Sequence, residues 1–418
     1  MNQKLYPWIW KWHFIGGLLC LPVVILLSLT GSIYLFKDYY EEPQRKSLIQ
    51  VKESTHPLSL HEQWQWARQH WDKRPQALVI PQSSTEATEF TSGRFSGKSS
   101  LFIHPSHGEV VGKIQVNQTD MYKVRKLHGE LLLGAYGTKV VELVASWMVV
   151  LLLSGLYLFW PRKVGWKGLF RIRTNGPKRL MYKDLHAVSG FWFSLILLLI
   201  LAGGLPWTDV FGTGYKWVQQ KTDAGYPAEW KGRSFHSQIN GEPLTLDQMV
   251  AQARELNLPG TVSVSLPKSE NSVFSVSNES SQLSSHAVYH FDQYSGKQLY
   301  HGTWSDIGLM MKTRLWVMAF HQGQFGWWNW LLVLFTSLGL TFLSISAILS
   351  YLARKKKGKL SIPSVPESAK PGFWIWMVLI LLGILLPLFG LSVLFLILVQ
   401  LPRWIADQEL DFWSGNQI

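Results

Sequence analysis

Residues 14–36 read FIGGLLCLPVVILLSLTGSIYLF and contain no charged side chain. A hydrocarbon core about 30 Å thick is crossed by roughly 20 helical residues at 1.5 Å each, so this stretch is long enough to span a bilayer. It is too long for a secretion signal, and no small-residue cleavage site follows it. We interpret it as a retained membrane anchor.

The same pattern recurs along the chain. Four further apolar runs cover residues 143–160, 187–207, 327–352 and 373–402. Trp and Tyr flank most of the runs, as expected for side chains at the lipid headgroups. The sequence therefore predicts five membrane-spanning helices.

The composition agrees with this interpretation. Of the 418 residues, 47% are hydrophobic and only 16% are charged, whereas about a quarter of a soluble domain is charged. The single cysteine, Cys20, excludes an intrachain disulfide, a cysteine zinc site and a cysteine-ligated iron–sulfur cluster. No C-x-x-C-H motif is present for covalent haem attachment.

The positive charge of the chain indicates its topology. The formal net charge is +13, and basic residues concentrate in the short segments 161–183 and 353–371, whereas the tail carries Asp407, Glu409 and Asp411. The positive-inside rule places the basic segments in the cytoplasm, with the N-terminus inside and the C-terminus outside. The charge therefore implies contact with anionic lipids and no nucleic acid.

The expected fold class is an α-helical integral membrane protein with two small α+β outer domains, internally duplicated, with five transmembrane helices. Its predicted parts are span one (8–36), outer domain one (37–120), a histidine-bearing segment with span two (121–160), a basic loop (161–183), span three (184–207), outer domain two (208–306), a second histidine-bearing segment with span four (307–352), a second basic loop (353–371), span five (372–402) and an outer tail (403–418).

The duplication is visible in both outer segments. Ser59 with Glu62 and Thr245 with Gln248 have the capping-box spacing that starts a helix. In each segment β-rich sequence follows and ends in a hairpin pattern, centred on Gly108 in the first and on Gly296 in the second. Each segment is therefore predicted to fold as a helix on a small antiparallel sheet.

Four histidines recur in the same registers. His13 and His186 open spans one and three, and His128 and His321 precede spans two and four. A duplicated fold would pair equivalent helices, so each side of the membrane would hold two imidazoles, the arrangement that ligates haem iron from both faces. Glycines near these histidines leave room for a flat ring or for close helix packing: Gly17, Gly31, Gly190 and Gly204.

These residues also have plainer interpretations. A single histidine at a helix end is commonly an interfacial residue, and only the recurrence favours ligation. Arg125 and Arg314 would bind haem propionates or an anionic substrate, or extend to the headgroups. Glu142 would relay protons, pair with Lys139 or lie at a solvated helix end. Breaks at 134–137 and 323–326 would lower the outer histidines into the membrane; otherwise the outer haem lies at its surface.

Nine other histidines fall in the outer segments. His104 with His107, and His286 with His290, could form metal-binding pairs, but neither pair has a carboxylate at a suitable spacing. They are interpreted as surface residues.

Several segments resemble the PepSY-associated transmembrane family, which includes inner-membrane siderophore reductases. They are Trp-x-x-x-Trp-His-Phe-Ile-Gly-Gly-Leu-Leu at 8–19, Leu-His-Gly-x-x-Leu-Leu-Gly at 127–134, Asp-Leu-His at 184–186 and His-x-Gly at 321–323. The resemblance covers residues 8 to about 355 and excludes span five. It implies PepSY-like outer domains, a bacterial inner-membrane location, two b-type haems ligated by His13, His128, His186 and His321, and reduction of ferric siderophores or other ferric chelates in the periplasm.

The chemistry of iron agrees with that implication. Hard oxygen ligands hold Fe(III) better than Fe(II), so one electron labilises the metal. No G-x-G-x-x-G motif follows a strand, so the electron donor is expected to be a membrane quinol or a separate cytoplasmic reductase. Two alternatives remain open: a membrane-anchored binding or inhibitory module without redox activity, and a haem oxidoreductase for another periplasmic acceptor, such as a copper chelate or a protein.

Overall fold

The computed structural model describes residues 5–53, 56–160, 165–356, 360–366 and 371–399. The chain divides into two compact units. The membrane unit comprises Met1–Ser32, Leu127–Lys216 and Leu332–Ile418, and the sheet unit comprises Ile33–Lys126 and Trp217–Leu331. The described residues do not include the first four residues of loop 161–183, residues 357–359 and 367–370 of loop 353–371, the end of the predicted fifth span (400–402) or the predicted tail (403–418).

The helices of the described chain are α1 (Leu5–Tyr34), α2 (Lys37–Ile49), α3 (Leu60–His70), α4 (Asp120–Glu130), α5 (Gly134–Phe159), α6 (Lys178–Gly204), α7 (Val210–Lys221), α8 (Leu246–Glu255), α9 (Leu309–His321), α10 (Trp327–Leu352), α11 (Phe373–Leu385) and α12 (Pro387–Val399). The strands are β1 (Ala77–Val79), β2 (Thr88–Ser92), β3 (Ser99–Ile103), β4 (Val110–Gln115), β5 (Thr261–Ser265), β6 (Phe274–Glu279), β7 (Ala287–Phe291) and β8 (Gln298–Thr303).

Within the described ranges, four helices are long and apolar enough to cross a membrane, and they contain or form α1, α5, α6 and α10. The prediction of a fifth span is wrong. The predicted run divides into α11 and α12, each of which has 13 residues and would rise only about 20 Å. Pro387 causes the break, because it has no N–H to donate and its ring clashes with the carbonyl four residues earlier.

The two half-helices α11 and α12 bend sharply against each other. A Cβ added to Gly383 would lie 3.3 Å from the Cα of Gly390, although residues seven apart in a continuous helix are separated by about 10 Å along the axis. The bend is packed into the membrane unit: Phe389 is 1% exposed and contacts Trp147 of α5, whose Nε1 donates to Ser392 Oγ at 3.1 Å.

The sheet unit contains one antiparallel sheet of eight strands in the order β4-β3-β2-β1-β5-β6-β7-β8. Each half of the duplication supplies four consecutive strands, and β1 pairs with β5 through Leu78 and Val264. Both predicted hairpins are confirmed: β3 pairs with β4 and β7 with β8, and the turn glycines Gly108 and Gly296 each have φ of 68°.

Both predicted capping boxes are also confirmed, at Ser59 for α3 and at Thr245 for α8. The two helices share one hydrophobic core with the sheet, in which Leu78, Met249 and Val264 are fully buried. A carboxylate further links the halves: Asp247 accepts hydrogen bonds from the backbone N–H groups of Leu60 and His61 at the start of α3.

Candidate cofactor-binding site

The structure brings His13 of α1 and His186 of α6 together. Their ring centroids are 6.5 Å apart and the ring planes make an angle of 72°. Two imidazoles that share one metal at about 2 Å per bond would have centroids about 6 Å apart. Both histidines remain partly accessible, so the separation and exposure of this pair fit two axial ligands of one haem iron.

The hydrogen bonds of the two rings define which nitrogen carries the hydrogen atom. His186 Nδ1 lies 3.1 Å from the carbonyl oxygen of Leu343 on α10. Because a carbonyl can only accept, Nδ1 carries the hydrogen and Nε2 keeps its lone pair. His13 Nδ1 lies 2.9 Å from Ser154 Oγ, and that hydroxyl donates to Leu151 O at 3.1 Å.

The Ser154 hydroxyl is therefore left to accept from His13 Nδ1, and His13 has the same tautomer as His186. Metal-ligating histidines commonly donate their second ring N–H in this way, which fixes the ring orientation. The arrangement matches the donor set that haem iron needs.

His128 lies near the end of α4 and reaches α1. Its Nδ1 lies 3.0 Å from Thr30 Oγ1, and the Thr30 hydroxyl donates to Leu26 O at 2.7 Å, so His128 donates from Nδ1 as well. A Cβ added to Gly31 would lie 3.1 Å from His128 Cε1. Gly31 thus gives room to the His128 imidazole, a use that the sequence did not predict.

The depth of His128, which the sequence left open, follows from the turn after α4. Leu131 and Leu132 have φ of 50° and 59°, and a Cβ on Gly137 would collide with the Glu130 carbonyl, so the chain folds back sharply between α4 and α5. The turn brings His128 to the level of Thr30, inside the apolar run 14–36. Seventeen residues of α1 separate Thr30 from His13, which is about 25 Å along a helix.

His321 is the last residue of α9, in the sheet unit. The following turn has Gly323 and Gly326 at φ of 72° and 92°, and a Cβ on Gly323 would lie 3.0 Å from Trp330 Cα, so the chain folds back here too. His128 and His321 belong to different compact units, and their predicted pairing stays a prediction.

The two predicted propionate-binding arginines lie in the helices that carry these histidines. The Arg125 guanidinium lies 5.2 Å from the ring centroid of Tyr122 on α4. Arg314 is 6% exposed and precedes His321 by two turns of α9. Their role toward a haem stays a prediction.

Glu142 has neither of the two structural roles expected for it, and its expected role as a proton relay stays a prediction. Its carboxylate is fully buried and accepts hydrogen bonds from the backbone N–H groups of Val210 and Phe211, both at 2.8 Å, at the start of α7. Lys139 instead pairs with Asp209. Glu142 is therefore neither the partner of Lys139 nor at a solvated end, and its contacts are those of a helix cap.

The histidines of the sheet unit show a contrasting environment. His290 is 1% exposed, with Nδ1 bonded to Ser275 Oγ and Nε2 to the Glu229 carbonyl. The predicted surface interpretation is therefore wrong for His290, which is a core residue with both nitrogens used. Within the described residues, no group of three or more His, Cys, Asp or Glu side chains is arranged to hold a metal ion.

The sequence did not identify the residues that hold the imidazoles. Ser154, Thr30 and the Leu343 carbonyl lie far from their histidines along the chain. The hydroxyls are polar groups within apolar runs, which is a signal of a buried partner. A backbone carbonyl gives no sequence signal at all.

Comparison with known proteins identifies a family. The family model described as "PepSY-associated TM region" matches residues 10–354, most of the chain. The matched region includes all four histidines and ends before α11. No curated protein matches the sequence significantly.

Proposed function

Because the chain belongs to the PepSY-associated transmembrane family, we propose that it is a di-haem membrane reductase that passes electrons across the bilayer to ferric siderophores. The observation that carries this proposal is the His13–His186 pair, with a centroid separation of 6.5 Å and Nδ1 of each ring held by a helix oxygen. These residues would hold the inner haem, and His128 with His321 would hold the outer one.

Bound haems would supply one-electron redox chemistry at two depths of the membrane. The chain's own residues keep each ligand in place: Ser154, Leu343 and Thr30 accept the Nδ1 hydrogens and so keep Nε2 available to a metal.

The substrate of this proposal is a ferric siderophore or another ferric chelate on the outer side. Its iron gains one electron and leaves as Fe(II), because hard oxygen ligands hold Fe(II) poorly. The electron would come from a membrane quinol or from a cytoplasmic reductase. Another periplasmic acceptor would use the same haem pair, and competition between ferric and copper chelates in one assay separates these two substrates.

The first test is a reduced-minus-oxidised spectrum of the purified full-length chain. We expect a Soret band and two haems per chain, and about half of that pigment in each of the variants His13→Ala, His186→Ala, His128→Ala and His321→Ala. His107→Ala changes an exposed histidine and serves as the matched control. Full haem content in all four variants would show that the ligands lie elsewhere, and a colourless wild-type chain would favour the anchored binding or inhibitory module.

The second test follows the substrate. Wild-type protein in lipid vesicles, supplied with a reduced quinol, should release Fe(II) from a ferric siderophore to an Fe(II)-specific chelator. Variants of either histidine pair should lose this release, because an electron path with one haem missing is broken. Release that persists without haem would overturn the proposal.

A further inference from the structure

The side chain of Arg354, just after the end of α10, has a hydrogen-bond donor without a partner among the described residues. The Arg354 guanidinium carbon lies 4.6 Å from the ring centroid of Phe14 and 5.9 Å from that of Trp10, both on α1. Its Nη2 atom is buried and has no hydrogen-bond partner among the described residues. Cation–π contact satisfies the face of a guanidinium, but the N–H groups in its plane still need acceptors.

This guanidinium contacts the side of α1 that also carries His13. Trp10, His13 and Phe14 have the i, i+3, i+4 spacing that places them on one face of α1. Arg354 also follows Leu343, whose carbonyl orients His186, by three turns of helical chain. The unmet donor is thus held by the same helices as the two imidazoles.

A second positive charge, that of Arg179, acts on the Arg354 guanidinium. Arg179 precedes His186 by seven residues of α6, which is two helical turns and nearly the same face. Burial and the charge of Arg179 both lower the pKa of Arg354, as expected for a partly buried cation near a like charge.

The carboxylate of Asp184, on the same helix as Arg179, already pairs with another arginine. Asp184 accepts from Arg173 Nε and Nη2 at 2.7 and 2.6 Å and from the Arg173 backbone N–H at 3.0 Å. No described carboxylate forms an ion pair with Arg354 or Arg179. A bound anion would supply the acceptor that the buried Arg354 Nη2 lacks among the described residues.

We propose that Arg354, assisted by Arg179, binds the propionate carboxylates of the inner haem, an inference that rests on the proposed function. A planar guanidinium with free in-plane N–H groups suits a carboxylate, which it can bind with two parallel hydrogen bonds. A lipid phosphate offers similar chemistry at this end of the helices, and the experiment below separates the two anions.

The experiment measures haem affinity in nanodiscs by Soret titration of full-length protein purified without haem, in the His128→Ala background that leaves the inner pair. The probes are haemin and its dimethyl ester, whose propionates carry no charge. Arg354→Gln should weaken haemin binding about tenfold and leave binding of the dimethyl ester unchanged. Arg354→Lys should recover part of the loss, and Arg179→Gln should show a smaller loss.

Lys356→Gln, an exposed cation in the same segment, is the matched control and should bind haemin as the parent does. Removing a positive charge near the haem should also lower its midpoint potential, which a purely structural role would not require. Equal losses for haemin and the dimethyl ester would overturn the inference in favour of packing.

Unchanged haemin affinity, together with a lost dependence on anionic lipid in Arg354→Gln, would overturn it in favour of a lipid phosphate. In both of these outcomes the parent protein still binds haem and the proposed function stands. Wild-type protein that takes up no haemin would reject the proposed function and this inference together.

Discussion

The hydrogen atom on each imidazole distinguishes the ligand candidates from an ordinary core histidine. His186 donates from Nδ1 to a carbonyl and stays partly accessible, whereas His290 is buried and uses both nitrogens within the sheet unit. Only the first arrangement leaves a lone pair for a metal. Residue type and helix position cannot separate these two cases, because the partners come from distant segments.

A hydroxyl substitution tests this distinction directly. Thr30→Val keeps the shape of the side chain but removes the acceptor of His128 Nδ1–H. Loss of a hydrogen bond to a metal-ligating histidine costs about 10- to 100-fold in metal affinity. We therefore expect loss of the outer haem on dilution, measured by the pyridine haemochrome spectrum, and its recovery in Thr30→Ser.

Thr336→Val is the matched control, since its hydroxyl bonds to Leu332 O of its own helix. Ser154→Ala should affect the inner haem in the same way. Equal haem retention in Thr30→Val and Thr336→Val would show that the contact with Thr30 does not hold the imidazole.

Glu142 gives a second prediction at this scale. Glu142→Gln keeps one acceptor oxygen but loses the other, so one backbone N–H of α7 is left without its partner. We expect a decrease in the free energy of unfolding of about 1–3 kcal/mol, measured by thermal unfolding in detergent. The pH dependence of electron transfer should not change, because a cap is not a proton relay.

The exposed neighbour provides the control. Asp209 pairs with Lys139 near the surface, and Asp209→Asn should cost less than about 1 kcal/mol. A Glu142→Gln variant with normal stability but an altered pH profile would instead support the relay.

At the scale of the element, hydrophobicity alone misidentified the last apolar segment. Residues 373–402 have the composition of a span, but Pro387 divides them and the backbone contact between Gly383 and Gly390 fixes a sharp bend. Two half-helices of about 20 Å cannot each cross a core of about 30 Å. The bent pair instead packs on α5 through Phe389 and Trp147.

This geometry leads us to expect an orientation of the C-terminus that differs from the one the charge pattern predicted. A bend inside the membrane returns the chain to the side from which it came, so we expect Gly372 and Val399 on the same side of the bilayer. Single cysteines at these exposed positions, in a Cys20→Ser background, should react with a membrane-impermeant maleimide in the same type of vesicle, inside-out or right-side-out. Labelling from opposite sides would restore the fifth span.

At the scale of the whole molecule, the duplication produces a single sheet. Taken alone, each half would end in a strand with unpaired backbone groups, β1 in the first half and β5 in the second. Pairing of β1 with β5 satisfies these groups and joins hydrophobic side chains of both halves in one core. Asp247 of the second half caps α3 of the first. The two halves therefore contribute to one continuous hydrophobic core.

Because the two halves share one core, we expect a destabilising substitution in one half to destabilise the other half as well. Leu78→Ala removes a fully buried side chain of β1 and should cost about 2–5 kcal/mol. Hydrogen exchange of the full-length chain should then speed up in β6 and β7 as well as in β2 and β3. Val110→Ala, at a 39% exposed position of edge strand β4, should leave exchange nearly unchanged; faster exchange confined to the first half in Leu78→Ala would indicate two independent domains.

The sequence by itself determined the features that depend on local spacing. Apolar length predicted the four spanning helices, together with a fifth that is wrong, and the Ser59 and Thr245 spacings predicted two helix starts. The repeated registers of the four histidines indicated cofactor ligands, which stays a prediction. These features need only neighbouring residues, because helix and hairpin geometry relate positions a few residues apart.

The contacts between distant segments of the chain are visible only in the tertiary structure. The 6.5 Å approach of His13 and His186, the oxygen partners of their Nδ1 atoms, the bend between α11 and α12 and the β1–β5 pairing all depend on contacts between residues far apart in the chain. Hydrophobic packing selects these contacts without directionality, so no local pattern specifies them.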